Sequence, residues 1–286
     1  MKNLHIIDLG IGKVRKLAML SDLHWDNPKC DREKLKAHLD YCLRYKIPVI
    51  VNGDFFCLMQ GKGDPRGSKS DILPEHNNSK YLDSVIQTAV DWFIPYAEII
   101  KVIGYGNHET AVIKHRETDV LQRFVDLLNY RTNQSIQVGG YGGWIVCYMS
   151  MSKSNSYRVS KSIKYFHGSG GGGPVTRGEI NLTRAMAMHE GYDVYSIGHI
   201  HENKATNTIR ERLLFNAGSR LHEVKHHCIH SMVTGTYKEE FQEGAKGWHV
   251  ERGAAVKPTG GRILTFTYKG TSNKKEYLID SIQFPL

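Results

Sequence analysis

The chain has 286 residues, 40% hydrophobic and 23% charged, which supplies a large core and excludes a disordered or low-complexity polymer. No stretch approaches the roughly 20 uninterrupted apolar residues of a membrane helix, and the first ten residues lack a signal peptide's apolar core and cleavage site, so a cytoplasmic protein without a membrane partner is expected. The formal charge of +9 favours polyanionic partners, while five scattered cysteines without a CxxC pair exclude a disulfide framework or a thiolate zinc site.

In chain order, Val14 to Leu20 predicts a buried strand, Asp31 to Tyr45 an amphipathic helix capped by Asp31, and Pro48 to Val51 a second buried strand, together a βαβ unit. Beyond a polar, Gly-rich stretch from Gly61 to Ser79, Lys80 to Ala97 reads as helix, Ile99 to Ile103 as strand and Arg116 to Asn129 as helix. In the second half Trp144 to Met149, Ile163 to Phe166, Val194 to Ile197, Arg212 to Phe215 and Ile263 to Tyr268 read as short strands, with a helix near Asn181 to Glu190. Lys275 to Phe284 reads as a last strand. No repeat or linker divides the chain, so one α/β domain over 1–286 is expected.

Five strands run directly into chemistry-bearing residues: Asp22-Leu23-His24, Gly53-Asp54, Gly106-Asn107-His108-Glu109, His167, and Gly198-His199-Ile200-His201. Ligands of open α/β sheets bind outside the carboxyl ends of strands, so these clusters are predicted to converge on one crevice. Asp-x-His and His-x-His at strand ends put both side chains on one face. Imidazoles, carboxylates and one amide oxygen form a mixed N/O donor set suited to Zn, Mn or Fe. Gly53, Gly106 and Gly198 precede proposed ligands, where the backbone is expected to turn sharply.

DxH, GD, GNHE, a lone His and GHxH, in this order, form the motif series of the calcineurin-like metallophosphoesterases, which the chain resembles over about residues 14–220. The resemblance implies a four-layer α/β/β/α sandwich with two mixed sheets, the segment 221–286 completing or covering that core. It also implies a two-metal centre. Asp22, His24, Asp54 and His201 would hold one divalent ion, and Asp54, Asn107, His167 and His199 the other, with Asp54 as bridge. Mn2+ is the expected metal, with Zn2+, Fe2+, Ni2+ and Mg2+ as alternatives. His108 would protonate the leaving oxygen or stabilise the phosphoryl transition state.

The implied enzyme is a hydrolase of phosphate esters, nearest the phosphodiesterase and DNA-repair nuclease branches, acting on DNA or RNA through a two-metal-activated hydroxide. A small-molecule phosphomonoesterase, a nucleotide phosphodiesterase and a non-catalytic scaffold of the same fold are the alternatives. Asn216 to Ser219 resembles the N-x-G-S turn of the bacterial phosphodiesterase and nuclease branches, although such a turn is also a common loop signal.

One departure stands out. Many members carry GDxxD, whose second Asp orients the catalytic His, whereas this chain has Gly53-Asp54-Phe55-Phe56-Cys57. Glu109 or a backbone carbonyl is expected to orient His108 instead, with Cys57 a buried, inert thiol. Lys153, Arg158, Lys161, Lys164, Arg177 and Arg184 make residues around 153–184 the candidate surface for nucleic acid, against plain solvated charge. Gly170 to Gly173 reads as a substrate loop or a connector. His222, His226, His227 and His230 read as a solvated face or edge strand rather than a second metal site, which would need His226 and His230 one helical turn apart.

Overall fold

The structure is a computed structural model that describes residues 3–59, 71–151, 158–173, 175–215, 222–239, 241, 256–270 and 276–285. It contains two six-stranded mixed sheets. One sheet contains β2 (Val14–Leu20), β3 (Val49–Val51), β4 (Ile100–Ile103) and β5 (Gln137–Val138), which run parallel to one another. β11 (Arg262–Tyr268) and β12 (Tyr277–Gln283) extend this sheet antiparallel on the far side of β2. The second sheet has the order β1 (Leu4–Ile11), β6 (Gly142–Ser150), β7 (Arg158–Phe166), β8 (Val194–Ile197), β10 (His222–Val233) and β9 (Lys204–Phe215). Residues beyond 221 thus supply strands to both sheets.

Burial explains the layering. Leu17, Met19, Ile50, Val102, Leu264 and Phe266 of one sheet meet Ile145, Cys147, Ile163 and Tyr165 of the other in a continuous apolar layer. The opposite face of the first sheet packs against α1 (Arg32–Arg44), α2 (Tyr81–Phe93) and α4 (Val120–Thr132), through Leu35, Leu39, Val85, Ala89, Phe93, Phe124 and Leu128. α5 (Glu179–Ala187) covers the outer face of the second sheet through Leu182 and Met186. Helices outside and two sheets inside give the four layers expected. Asp31 caps α1, its carboxylate accepting from the Lys34 N–H at 2.9 Å.

Several elements differ from the sequence reading, among them the unpredicted β1 and β5. The helix expected over Arg116 to Asn129 is α4, and an unexpected helix, α3 (Asn107–Arg116), precedes it and ends where Glu117 adopts a left-handed φ of 51°. Asn107 and His108 therefore stand on the first turn of a helix, not on a strand-end loop. β9 and β10 form a ribbon of 12 residues each, yet β8 pairs only with His230 to Val233. The outer part of the ribbon is exposed on both faces, so no apolar alternation marked it.

Candidate metal centre

The carboxyl ends of β2, β3 and β4 meet those of β7 and β8 along one crevice. Main-chain bonds lock the ends together: Asp22 N–H donates to Gly53 O at 3.0 Å, His24 N–H to Asp54 O at 3.1 Å, and Gly198 N–H to His167 O at 2.9 Å. Asn52 joins the two sheets, its Nδ2 donating to Phe166 O at 3.0 Å. Seven of the eight residues singled out by sequence converge here in two groups of donor atoms, with His108 beside them. One consists of Asp22, His24 and His201, the other of Asp54, His167 and His199, each with its ligand atoms within 4.8 Å of one another. Asn107 Oδ1 joins the second group, 2.8 Å from His199 Nδ1 and 3.2 Å from His167 Nε2.

The backbone at these positions is unusual. Asp22, His24, Asp54, His199 and His201 all have positive φ, from 46° to 66°. Non-glycine residues adopt this region rarely and at a cost, and such strain concentrates at functional sites. Here it turns successive side chains inward. Two of the glycines serve a purpose other than turning: a Cβ on Gly106 would overlap the Asp54 carboxylate, and one on Gly198 would stand 2.7 Å from Asp22 Oδ2. Close approach, rather than a sharp turn, requires glycine at both.

The donor chemistry calls for cations. His167 Nδ1 lies 2.8 Å from Asn52 O, an acceptor only, so Nδ1 carries the hydrogen. The other nitrogen, Nε2, then points its lone pair at Asp54 Oδ2 at 3.2 Å and Asn107 Oδ1 at 3.2 Å. Lone pairs facing lone pairs in a buried site repel unless a cation or proton lies between them. Burial opposes charging the ring, yet Asp54 prevails and pushes His167 up to about 10 in the cation-free chain. Burial would likewise raise the Asp54 carboxyl, but the His167 and His108 imidazoles hold it well below the usual carboxylate range. His24 is buried with both ring nitrogens lacking a hydrogen-bond partner, and burial, with His108 next, keeps it neutral. A neutral, buried, unpartnered imidazole beside Asp22 is what a metal ligand requires. Separations of 2.8–3.4 Å between ligand atoms also match the edges of a coordination shell with bonds of about 2.0–2.2 Å. The residues therefore fit two divalent ions.

His108 is oriented by main chain. Its Nδ1 lies 2.5 Å from Cys57 O, fixing hydrogen on Nδ1 and leaving Nε2 toward the crevice, 3.9 Å from Asp54 Oδ2. Glu109 has a different task. Its carboxylate accepts from Phe56 N–H and Gly106 N–H, each at 2.8 Å, tying α3 to the loop after β3. Burial and the Asp54 charge push the Glu109 carboxyl up to about 8. The start of α3 also points its His108 N–H at Asp54 Oδ1 at 3.0 Å, favouring the carboxylate through the helix dipole.

Sequence reasoning missed Asp26. This buried carboxylate accepts from Cys57 N–H at 2.5 Å, Leu58 N–H at 2.9 Å and Tyr81 O–H at 3.1 Å, pinning the peptide whose carbonyl holds His108. Its one legible signal is its place two residues beyond His24. Cys57 does approach the centre: its sulfur accepts from Asn27 Nδ2 at 3.2 Å and lies within 4.8 Å of ligand atoms of His24 and His108. Burial raises the thiol far above its ordinary range.

Several other candidates are engaged elsewhere. Lys161 pairs with Asp193 at 2.8 Å, Lys164 is buried over Trp144, and Arg158 stacks on Tyr148 at the end of β7 remote from His167. His230 is buried in a bridge between the sheets, bonded to Asn207 and Ser281, whereas His226 is exposed beside Glu211. They lie on strand β10, so no helical turn brings them together. Asn181 Nδ2 tethers the glycine run, donating to Ser169 O at 2.9 Å. Lys153, Asn216 to Ser219 and most of 235–261 lie outside the described residues.

No helix among the described residues is long and apolar enough to cross a membrane. No protein-family model and no curated protein matches the sequence. Among solved structures the chain is similar to GAP50, the anchor in the inner membrane complex of Plasmodium, at 9% identity and a TM-score of 0.41, over 96% of this chain and 91% of that one. Vacuolar Protein Sorting 29 from Cryptosporidium parvum aligns at 12% identity and a TM-score of 0.34, over 95% and 100% of the two chains. A metallophosphoesterase from Sphaerobacter thermophilus aligns at 12% and 0.33, over 94% and 89%. Identities this low transfer no activity from one protein to another.

Proposed function

We propose that the chain is a dinuclear-metal phosphoesterase of the calcineurin-like superfamily that hydrolyses phosphodiesters, nucleic acid ahead of small nucleotides. The observation that carries the reading is the convergence of seven motif residues on two donor groups in which the buried nitrogens of His24 lack partners and that of His167 faces oxygen lone pairs. Two divalent ions bound there would supply Lewis acidity to the phosphoryl oxygens and make a water acidic enough to ionise at neutral pH. Asp22, His24 and His201 would hold one ion and Asn107, His167 and His199 the other, with Asp54 as the bridge between them.

His108 performs the proton transfer. With Nδ1–H given to Cys57 O, its Nε2 faces the crevice and, when protonated, gives its proton to the leaving ester oxygen as the P–O bond breaks. Water supplies the new P–O bond and loses a proton to solvent, so no covalent enzyme intermediate is required.

Hydrolysis of bis-p-nitrophenyl phosphate against p-nitrophenyl phosphate, by metal-stripped protein resupplied with Mn2+, tests the reading. Faster cleavage of the diester is expected, with Asp54→Asn protein inactive. Preference for the monoester would replace the diesterase reading with a phosphomonoesterase. No activity on either would refute both.

A further inference from the structure

We infer that the cleft lined by Val112 and Arg116 of α3, the helix that begins with Asn107 and His108, binds a single-stranded nucleic acid on one side of the scissile phosphate. The inference rests on the phosphodiesterase reading for its direction and on an independent feature for its substance. A cleft of about 340 Å³ lies along α3, within the range of about 300–1,000 Å³ typical of ligand sites. Its apolar part is formed by Leu58, Tyr81 and Val112, and its charged end by Lys80, Arg116 and Arg123.

Two connections tie the cleft to the proton donor. Leu58 directly follows Cys57, whose carbonyl holds the His108 ring. Val112 and Arg116 follow His108 at successive four-residue steps, which places them along one side of α3. Eight residues of helix put Arg116 about 12 Å from His108.

The charges of the cleft are unequal. Lys80 and Arg116 are exposed, and Arg123 shares its charge with Asp83 at 2.6 Å. Asp83 is the acidic residue of the lining, and Glu117 stands beside Arg116 in sequence. A monoester offers a single anion at the metal centre. A second cationic site about 12 Å along the helix serves a substrate that carries another anion at that distance, as linked phosphates do, with bases over the apolar floor between them.

The test is fluorescence anisotropy of a fluorescein-labelled phosphorothioate oligothymidylate with the Mn2+-loaded protein. Lys80→Gln with Arg116→Gln should raise Kd about tenfold and reduce the slope of log K against log salt by about 1.4, two contacts at about 0.7 each. Lys36→Gln with Arg44→Gln removes the same two charges from α1, outside the cleft, and should change Kd less than about threefold. All four side chains are exposed, so melting temperatures should hold. Equal weakening by both double variants, no weakening by the first, or no binding by the unaltered protein would overturn the inference. The expected binding pattern in a protein that cleaves no diester keeps the cleft and overturns the phosphoesterase. Diester cleavage without oligonucleotide binding does the reverse.

Discussion

Asp26→Asn separates positioning from metal binding, because Asp26 touches neither a metal ligand side chain nor the crevice. Its two oxygens receive the Cys57 and Leu58 N–H groups and the Tyr81 hydroxyl. Asparagine keeps one acceptor and presents an NH2 where the other stood. One buried N–H is left unsatisfied, which costs about 1–3 kcal/mol of stability. The Cys57 carbonyl then loses the peptide alignment that fixes hydrogen on His108 Nδ1. Loss of such an outer support typically lowers activity about 10–100-fold. The fall should appear in kcat with KM nearly constant, because His108 acts on the leaving group. Metal content by mass spectrometry should stay at the unaltered level, and nitrogen NMR of the Zn2+-loaded protein should show His108 losing its single Nδ1–H tautomer. Cys57→Ser, which keeps the carbonyl, should retain turnover within about threefold and a single tautomer. Unchanged kcat in Asp26→Asn, or an equal loss in Cys57→Ser, would refute the chain of support from Asp26 to His108.

Three further outcomes follow from the same geometry. His108→Ala and Asp54→Asn should both abolish turnover, but only Asp54→Asn should deplete both ions, since the proposed centre shares Asp54 between them; equal metal loss would overturn the role of His108. Gly198→Ala should weaken metal binding about 10–100-fold by pushing its Cβ into Asp22, measured by chelator competition, and undiminished affinity would contradict the close approach. His38, stacked on Phe284 and 2.8 Å from the Tyr237 hydroxyl, is lowered from 6.5 to about 4 by burial, with Lys34 adding to the shift and Asp31 opposing it. Its contribution is complete above pH 6.5 and is lost as pH falls toward 4, because the unfolded chain takes the proton first. At most about 3 kcal/mol is involved; urea denaturation of His38→Gln should show a shallower acid loss than the unaltered protein, and equal slopes would contradict this.

The site was legible because its residues follow apolar strands. Val14 to Leu20 and Val194 to Ile197 coincide with β2 and β8, and the polar residues after them had to lie at strand ends. α3 was illegible for a related reason: Asn107 to Arg116 carries no apolar face, as only Glu109 is buried along it, so no helical period appears. Asp26 escaped notice because its role depends on three donors contributed by residues 57, 58 and 81, which only folding brings together. For the basic residues around 153–184, charge in sequence does not reveal the pairing of Lys161 with Asp193 or the burial of Lys164.

Anomalous diffraction from crystals loaded with Mn2+ tests the centre most directly. Two peaks should appear per chain, one among Asp22, His24 and His201 and one among Asn107, His167 and His199, with Asp54 touching both. A single peak, or peaks away from these residues, would contradict the dinuclear centre on which the proposed chemistry depends.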